Sequence, residues 1–390
     1  MEVVAWGRKD WSFNGIIGGA VFDPGGIRRL SHQPLQGFPV TILYRVLRLN
    51  CFQVDRSHLD KFLYLAATSL IHSLLNRREK RLFGDLIEAT ELVAPPVFIL
   101  GHWRSGTTFL HNLLALDPEF TYPRAFQAFF PGSFLLPHLR QVLKRLEMRI
   151  QLKTRPMDNV KFSLYEPWED EFLIASLTGI SPYIRVLFPR TMGIGLNYRY
   201  PDFRGQREVV IWRNAFVRLL KRLTVYEGKR LVLKSPPHTA RLGVLYSLYP
   251  DAKFIYIVRH PCDVFASSLK LWRDAFRLSF LQEIGCEEVV EIVLSTYEQL
   301  FERYCRDRKM IPEKNLVELK FEDLEANPFQ VMKEIYMRLD LGDFDRVESL
   351  IESYLESLHG YRKNVFKITP KVKELVKNRW GKVFDIYDYK

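Results

Sequence analysis

The sequence predicts an α/β protein, a central parallel sheet flanked by helices on both faces, with a helical extension at its N-terminal side. Three observations carry that expectation. The apolar run Pro-Val-Phe-Ile-Leu (96–100) leads into Gly-His-Trp-Arg-Ser-Gly-Thr-Thr (101–108), and Phe109, Leu110, Leu113, Leu114 and Leu116 follow at helical spacing. A second unit reads strand at 231–234, helix at 238–249 with Leu242, Leu245, Tyr246 and Tyr249 on one face, and strand at 254–259. A further strand is expected at 316–321. Short apolar runs alternating with helices make parallel sheets covered on both faces, whose strands read as continuous apolar segments.

Taken in order, residues 1–35 are glycine-rich, with Gly18-Gly19 and Pro24-Gly25-Gly26, and show no sustained period. They read as an irregular arm. Helices are expected at 39–49 and 58–88, the second carrying the basic cluster Arg77-Arg78-Glu79-Lys80-Arg81. Its apolar stretch 62–75 contains Ser69, His72 and Ser73 and is too short to span a bilayer. Pro95-Pro96 marks a boundary, so 1–92 form the arm and helical extension and 93–390 the main domain. Asp117-Pro118 stops the helix after the glycine loop, and Pro261 sits at a favoured first-turn position of the next one. No internal repeat or low-complexity segment interrupts this pattern.

Composition fits a soluble globular chain of 390 residues, 47% hydrophobic and 26% charged. The formal net charge of +12 suits an anionic ligand, an anionic membrane surface or nucleic acid. No nucleic-acid module or alternation of aromatic and basic residues appears, so nucleic acid is the weakest of the three. Cys51, Cys262, Cys286 and Cys305 are far apart and form no metal-ligand spacing, which suits a reducing compartment. Arg8-Lys9-Asp10 interrupts the N-terminus before a secretory apolar core could form. A cytoplasmic protein is expected, with peripheral membrane contact left open.

The loop 101–108 has the frame of a phosphate-binding P-loop, giving a three-layer, P-loop-like fold. Backbone N–H groups and the positive end of the following helix would face an anion. Arg104 adds a planar fork, and Ser105, Thr107 and Thr108 add hydroxyl donors. Gly106 lets the loop turn. Yet Thr107 stands where a nucleoside triphosphatase carries its lysine. The clear strands end in Lys234 and Arg259, not in the acid that would hold magnesium for phosphoryl transfer. A sulfuryl group carries less negative charge than a terminal phosphoryl, so its transfer can rely on lysine, arginine and helix termini without a metal. In parallel sheets ligands bind beyond the carboxyl ends of the strands, where Gly101, Lys234 and Arg259 all lie.

These residues resemble the sulfotransferases that use 3′-phosphoadenosine 5′-phosphosulfate (PAPS). The chain looks most like the bacterial branch with lipid and hydrophobic-alcohol acceptors, and is more distantly similar to the tyrosylprotein sulfotransferases. The resemblance rests on 96–110, on Leu-Val-Leu-Lys-Ser-Pro-Pro-His (231–238), on Phe-Ile-Tyr-Ile-Val-Arg-His-Pro-Cys-Asp-Val-Phe-Ala-Ser-Ser (254–268) and on Leu-Lys-Phe-Glu-Asp-Leu-Glu-Ala-Asn-Pro (319–328). It covers about 94 to the C-terminus and is loose over 1–90.

The resemblance implies that residues 104–108 hold the 5′-phosphosulfate and that Arg259 and Ser267 hold the 3′-phosphate. Lys234 matches the lysine beside the bridging oxygen of the donor, where it stabilises the leaving phosphate. Arg362 and Lys363, in Tyr-Arg-Lys-Asn (361–364), form a basic lid or an ordinary solvated loop. Phe321 replaces a tyrosine of many relatives, which removes a hydroxyl near the adenine and leaves apolar packing. The general base has three candidates. Glu169 and Glu171, in Glu-Pro-Trp-Glu-Asp-Glu-Phe (166–172), weigh equally, and His238 competes with them.

The expected reaction is metal-independent, in-line sulfuryl transfer from PAPS to a hydroxyl of a small hydrophobic or lipid-like acceptor. The aromatic stretch 126–136 either lines an acceptor tunnel or is core, with core favoured. The amphipathic segment 207–223 either rests on an anionic membrane or is an ordinary helix with a solvated face, the second being the default. Two rival functions remain, an atypical P-loop ATP-dependent kinase and a non-catalytic membrane-associated nucleotide-binding protein.

Overall fold

In a computed structural model, residues 35–139, 141, 143, 163–190, 205–358, 364 and 366–390 are described. Two helices come first, α1 (Val40–Leu49) and α2 (Leu59–Ala89). The chain then runs through β1 (Val97–Leu100), α3 (Thr107–Leu114), β2 (Phe120–Thr121) and α4 (Ala125–Phe129). Next come α5 (Asp170–Thr178), α6 (Ile184–Leu187), α7 (Gln206–Tyr226), β3 (Arg230–Lys234), α8 (Leu242–Leu248) and β4 (Lys253–Val258). After these follow α9 (Pro261–Asp274), α10 (Cys286–Asp307), β5 (Leu316–Lys320), α11 (Phe321–Ala326), α12 (Pro328–Leu339), α13 (Asp345–Ser357) and α14 (Pro370–Ile386).

The five strands among the described residues pair in parallel, in the order β2-β3-β1-β4-β5. In β1, Ile99 stands opposite Lys234 and Leu100 opposite Tyr256, so the carboxyl ends of the three central strands share one edge. Alternate residues of a strand face opposite sides. Val97 and Ile99 therefore join Val232, Ile255 and Ile257 in one core with α3 and α12. Phe98 and Leu100 join Leu233, Phe254 and Tyr256 in the other, against α7, α9, α10 and α14. Both faces being covered explains why the central strands carry no polar alternation.

The expected strands are present, and the two-residue β2 is an addition too short to leave a pattern. The expected helix at 238–249 begins as a 3₁₀ turn over 236–241, because the consecutive prolines supply no N–H groups. Helices α1 and α2 place Leu43, Val46, Leu65 and Ile87 in the same core as Phe98. A buried ion pair between Glu79 of α2 and Arg222 of α7 tethers the two helices, and Glu79 Oε2 also accepts from the Leu135 backbone at 2.7 Å.

Within 126–136, Phe126, Phe134, Leu135 and Leu136 are buried in the main core, which fits the favoured reading of that stretch. In the amphipathic segment 207–223, Trp212, Phe216 and Leu220 are fully buried against the sheet, so that apolar face is unavailable to a membrane. None of the described helices is long and apolar enough to cross a membrane.

Candidate active site

The loop after β1 needs its glycines. Gly101 has φ +146°, and a Cβ there would lie 2.6 Å from the Ile257 carbonyl oxygen. Gly106, at φ +98°, would drive a Cβ to 2.2 Å from Phe321 Cδ2. Arg104 also takes a positive φ, 70°, a conformation that side-chain-bearing residues rarely hold outside functional turns. Ser105 donates within the loop to the His102 carbonyl at 2.7 Å. The Gly101 N–H donates to Thr239 Oγ1 at 2.7 Å, which ties the loop to the turn after β3.

Two groups of side chains meet on this loop. On one side Arg104 Nε donates to Ser267 Oγ of α9 at 2.8 Å, and Arg259 donates to the Arg104 carbonyl at 3.4 Å. Arg259 lies 4.7 Å above the Phe321 ring and 3.6 Å from Asp263. Phe321 thus packs between the arginine, whose guanidinium lies over its ring, and Gly106. On the other side Lys234 Nζ donates to Glu169 Oε1 at 2.7 Å and reaches Thr108 Oγ1 at 3.4 Å. The loop joins the two groups, since Arg104 and Thr108 are four residues apart. Thr107 is buried at the start of α3.

The three neighbouring acids at the start of α5 face different partners. Glu169, the residue before the helix, is held by Lys234 and by the Tyr183 hydroxyl, which donates to Oε2. Trp103 Nε1 donates in turn to the Tyr183 oxygen at 2.7 Å. Asp170 is fully buried, accepting from Ser235 Oγ at 2.8 Å and lying 2.6 Å from His238 Nε2. Burial alone would raise its carboxyl, but the charge and hydrogen bond of His238, with Ser235, hold it below the ordinary value. Glu171 is fully buried in a two-pronged pair with Arg241, at 2.6 and 3.1 Å. His238 is enclosed by Phe98, Phe216 and Trp212.

The lysine, Glu169 and the loop therefore converge, while Glu171 and His238 sit one layer deeper with partners of their own. Arg362 and Lys363 lie outside the described residues. Sequence reasoning passed over Asp170, although it stands between the two glutamates. It also passed over Tyr183, which holds Glu169 from 14 residues further along the chain, and over Trp103 of the loop, which donates to Tyr183. A tyrosine in a non-repeating turn leaves no motif. His111 of α3 is buried, and burial, then the nearby Lys234 charge, lowers its imidazole to about 3.

Residues 95–346 match the Sulfotransferase family profile. The omega-hydroxy-beta-dihydromenaquinone-9 sulfotransferase Stf3 of Mycobacterium bovis is 32% identical over 345 residues, 88% of this chain and 88% of that protein. The protein of the same name from Mycobacterium tuberculosis matches to the same extent. Among solved structures, sulfotransferase STF1 from Mycobacterium tuberculosis gives a TM-score of 0.63 at 18% identity, covering 91% of this chain and 93% of that one. Sulfotransferase STF9 from Mycobacterium avium gives 0.63 at 17% identity, covering 93% and 89%. The structural likeness speaks to the three-layer fold, and the family match spans most of the sheet domain together with the loop and both strand-end cations. The chain belongs to the sulfotransferase family, whose chemistry is sulfuryl transfer.

Proposed function

We propose that this chain moves the sulfuryl group of PAPS to a hydroxyl of a hydrophobic, lipid-like alcohol, without a metal. The observation that carries the reading is the cluster of Lys234, Glu169 and Thr108 at the carboxyl edge of the sheet, with Nζ to carboxylate 2.7 Å. The residues fit the donor. The start of α3 and the hydroxyl of Thr108 suit a 5′-phosphosulfate, and Arg104, Arg259 and Ser267 together suit a 3′-phosphate.

In this reading Glu169 accepts the proton of the acceptor hydroxyl as its oxygen attacks sulfur in line with the bridging oxygen. The S–O bond breaks with its electron pair passing to the departing phosphate, and Lys234 neutralises that charge. Tyr183, itself held by Trp103, orients the carboxylate beside Lys234. Asp170 and Arg241 hold His238 and Glu171 as a buried frame beneath it.

The test is thermal stabilisation by 3′-phosphoadenosine 5′-phosphate (PAP) in chelator, followed by mass spectrometry of lipid extracts incubated with labelled PAPS. A product heavier by one SO₃ supports the proposal. No melting shift at saturating PAP would count decisively against it, and stabilisation by magnesium–ATP that chelator abolishes would favour the kinase instead. Unchanged lipid binding with no transfer in any extract would favour the non-catalytic alternative.

The Stf3 relatives act on an omega-hydroxy menaquinone derivative, which supports an apolar alcohol as acceptor here. The four free cysteines among the described residues support a reducing, cytoplasmic setting. Peripheral contact with an anionic bilayer is supported by α2. Its outer face carries Leu63, Leu70, Ile71 and Leu74, exposed by 63%, 61%, 56% and 65%, and then the exposed cations Arg77, Arg78, Lys80 and Arg81. Leucines that enter the acyl boundary beside arginines that meet anionic headgroups are the chemistry of an interfacial helix. Flotation with phosphatidylserine vesicles should retain the protein, and Leu70→Glu with Leu74→Glu should release it. Equal flotation of that variant, or concentration-dependent pairing of the protein through this face, would exclude the bilayer as its occupant.

A further inference from the structure

We infer that Tyr389 and Glu322 are positioning residues of the 3′-phosphate site, holding Arg259 and Phe321 in register from the turn that follows α14. This rests on the PAPS reading above and adds how its strand-end arginine is kept in place. Strands β4 and β5 are paired, with Val258 opposite Lys320, so Arg259 and Phe321 are the first residues beyond the two strand ends. They meet there, the guanidinium 4.7 Å from the ring centroid. The next residue of each segment closes the arrangement, since the His260 N–H donates to Glu322 Oε1 at 2.9 Å. The other oxygen of Glu322 accepts from the Tyr389 hydroxyl at 2.9 Å. Burial, then the Glu322 charge, raises that hydroxyl above its ordinary value, so it stays protonated and donates.

The turn reaches this edge of the sheet because α14 is fixed along its length and closed at its end. Trp380 Nε1 donates to the Leu294 carbonyl of α10 at 3.1 Å, and the indole stacks on Tyr297 at 4.0 Å. Val383 and Phe384 are buried in the main core. Asp388 then takes φ +47°, and the Tyr389 N–H returns to the Phe384 carbonyl at 3.0 Å, the bond that closes a helix through a left-handed residue. The Tyr389 ring is held apart from its hydroxyl. Lys320 Nζ lies 5.1 Å from the ring centroid, and the His260 ring meets it edge-on at 5.3 Å. His260 Nε2 also lies 3.2 Å from the Lys390 backbone oxygen. Tyr387, on the same turn, bonds instead to Glu318 of β5 at 3.1 Å.

A phosphate gains most from an arginine whose planar fork is already set, because less freedom is lost on binding. Glu322 sets it by fixing the spacing between the two strand ends. With the Tyr389 bond gone, the carboxylate keeps only the His260 donor and can swing about it. The loss then falls on the group that reads the 3′-phosphate, and the loop that receives the 5′ end is spared.

The test compares PAP with adenosine 5′-phosphate, which lacks the 3′-phosphate, as ligands in calorimetry. The wild type should favour PAP. Tyr389→Phe keeps the ring contacts and removes one hydroxyl, so the preference for PAP should fall about tenfold, the size of one hydrogen bond to a charged acceptor. Its affinity for adenosine 5′-phosphate should hold, which also shows that the variant is folded. Glu322→Ala should lower the preference at least as far. Tyr387→Phe is the control for a purely structural effect, because it removes the hydroxyl bonded to Glu318 and should lower Tm with the preference intact. A Tyr389→Phe protein that melts lower yet discriminates as the wild type does would overturn the inference. So would an equal loss of preference in Tyr387→Phe. Wild type that binds neither nucleotide would remove the PAPS reading, and the inference with it.

Discussion

Replacing Gly106 by alanine probes the loop at its most constrained point. A Cβ at this position would stand 2.2 Å from Phe321 Cδ2 and 2.8 Å from Cε2, so the ring must move. The backbone sits at φ +98°, where a side chain adds roughly 1–2 kcal/mol of strain. A displaced Phe321 also leaves Arg259 without the ring 4.7 Å beneath it, a contact worth about 0.5–2 kcal/mol. The combined penalty is about 1.5–4 kcal/mol. If the loop keeps its shape, the penalty falls on stability, lowering Tm by roughly 2–5 °C for a chain of this length. If the loop relaxes, binding must restore it, and PAP affinity falls roughly 10- to 900-fold. Calorimetric titration with PAP and thermal melts of the same sample together capture either route. Gly228→Ala is the control, because its Cβ would meet nothing within 4 Å. A Gly106→Ala protein that matches wild type in both measurements would refute the reasoning about the loop.

Three further outcomes are expected. Glu169→Gln should lower kcat for sulfuryl transfer by about 10²–10⁴ while PAP still raises Tm, and a near-normal rate would remove Glu169 as the base. Asp170→Ala leaves His238 and Ser235 buried without their shared acceptor, so unfolding in urea should show a loss of about 3–5 kcal/mol, against little change if that network is idle. Burial lowers the imidazoles of His72 and His102 to about 4 and, helped by Lys234, that of His111 to about 3. Each stays neutral in the fold while the unfolded chain takes up a proton below its ordinary value near 6.5. Their contribution is complete above pH 6.5 and declines as pH falls toward 4. The slope is about 1.4 kcal/mol per pH unit for each residue, so each loses roughly 2 kcal/mol by pH 5. A urea midpoint that is the same at pH 7 and pH 5 would contradict this.

The sheet was legible because its information is local. A run of four apolar residues followed by a glycine loop and a helical period defines β1 and α3 without reference to the rest of the chain, and Lys234 and Arg259 follow their strands directly. Amphipathic helices are less informative, because periodicity shows an apolar face without naming what covers it. The segment 207–223 buries its face on the sheet, while α2 leaves Leu63, Leu70, Ile71 and Leu74 exposed.

The acids at the start of α5 show where local information ends. The sequence by itself determined that Glu169, Asp170 and Glu171 lie together before an apolar helix. Successive residues there point about 100° apart, so each meets whatever the neighbouring elements place opposite it. Only the tertiary structure gave Lys234 and Tyr183 to Glu169, His238 and Ser235 to Asp170, and Arg241 to Glu171. Those partners come from β3, the turn after it and residue 183, and their positions depend on how the sheet and helices pack, which no spacing along the chain encodes.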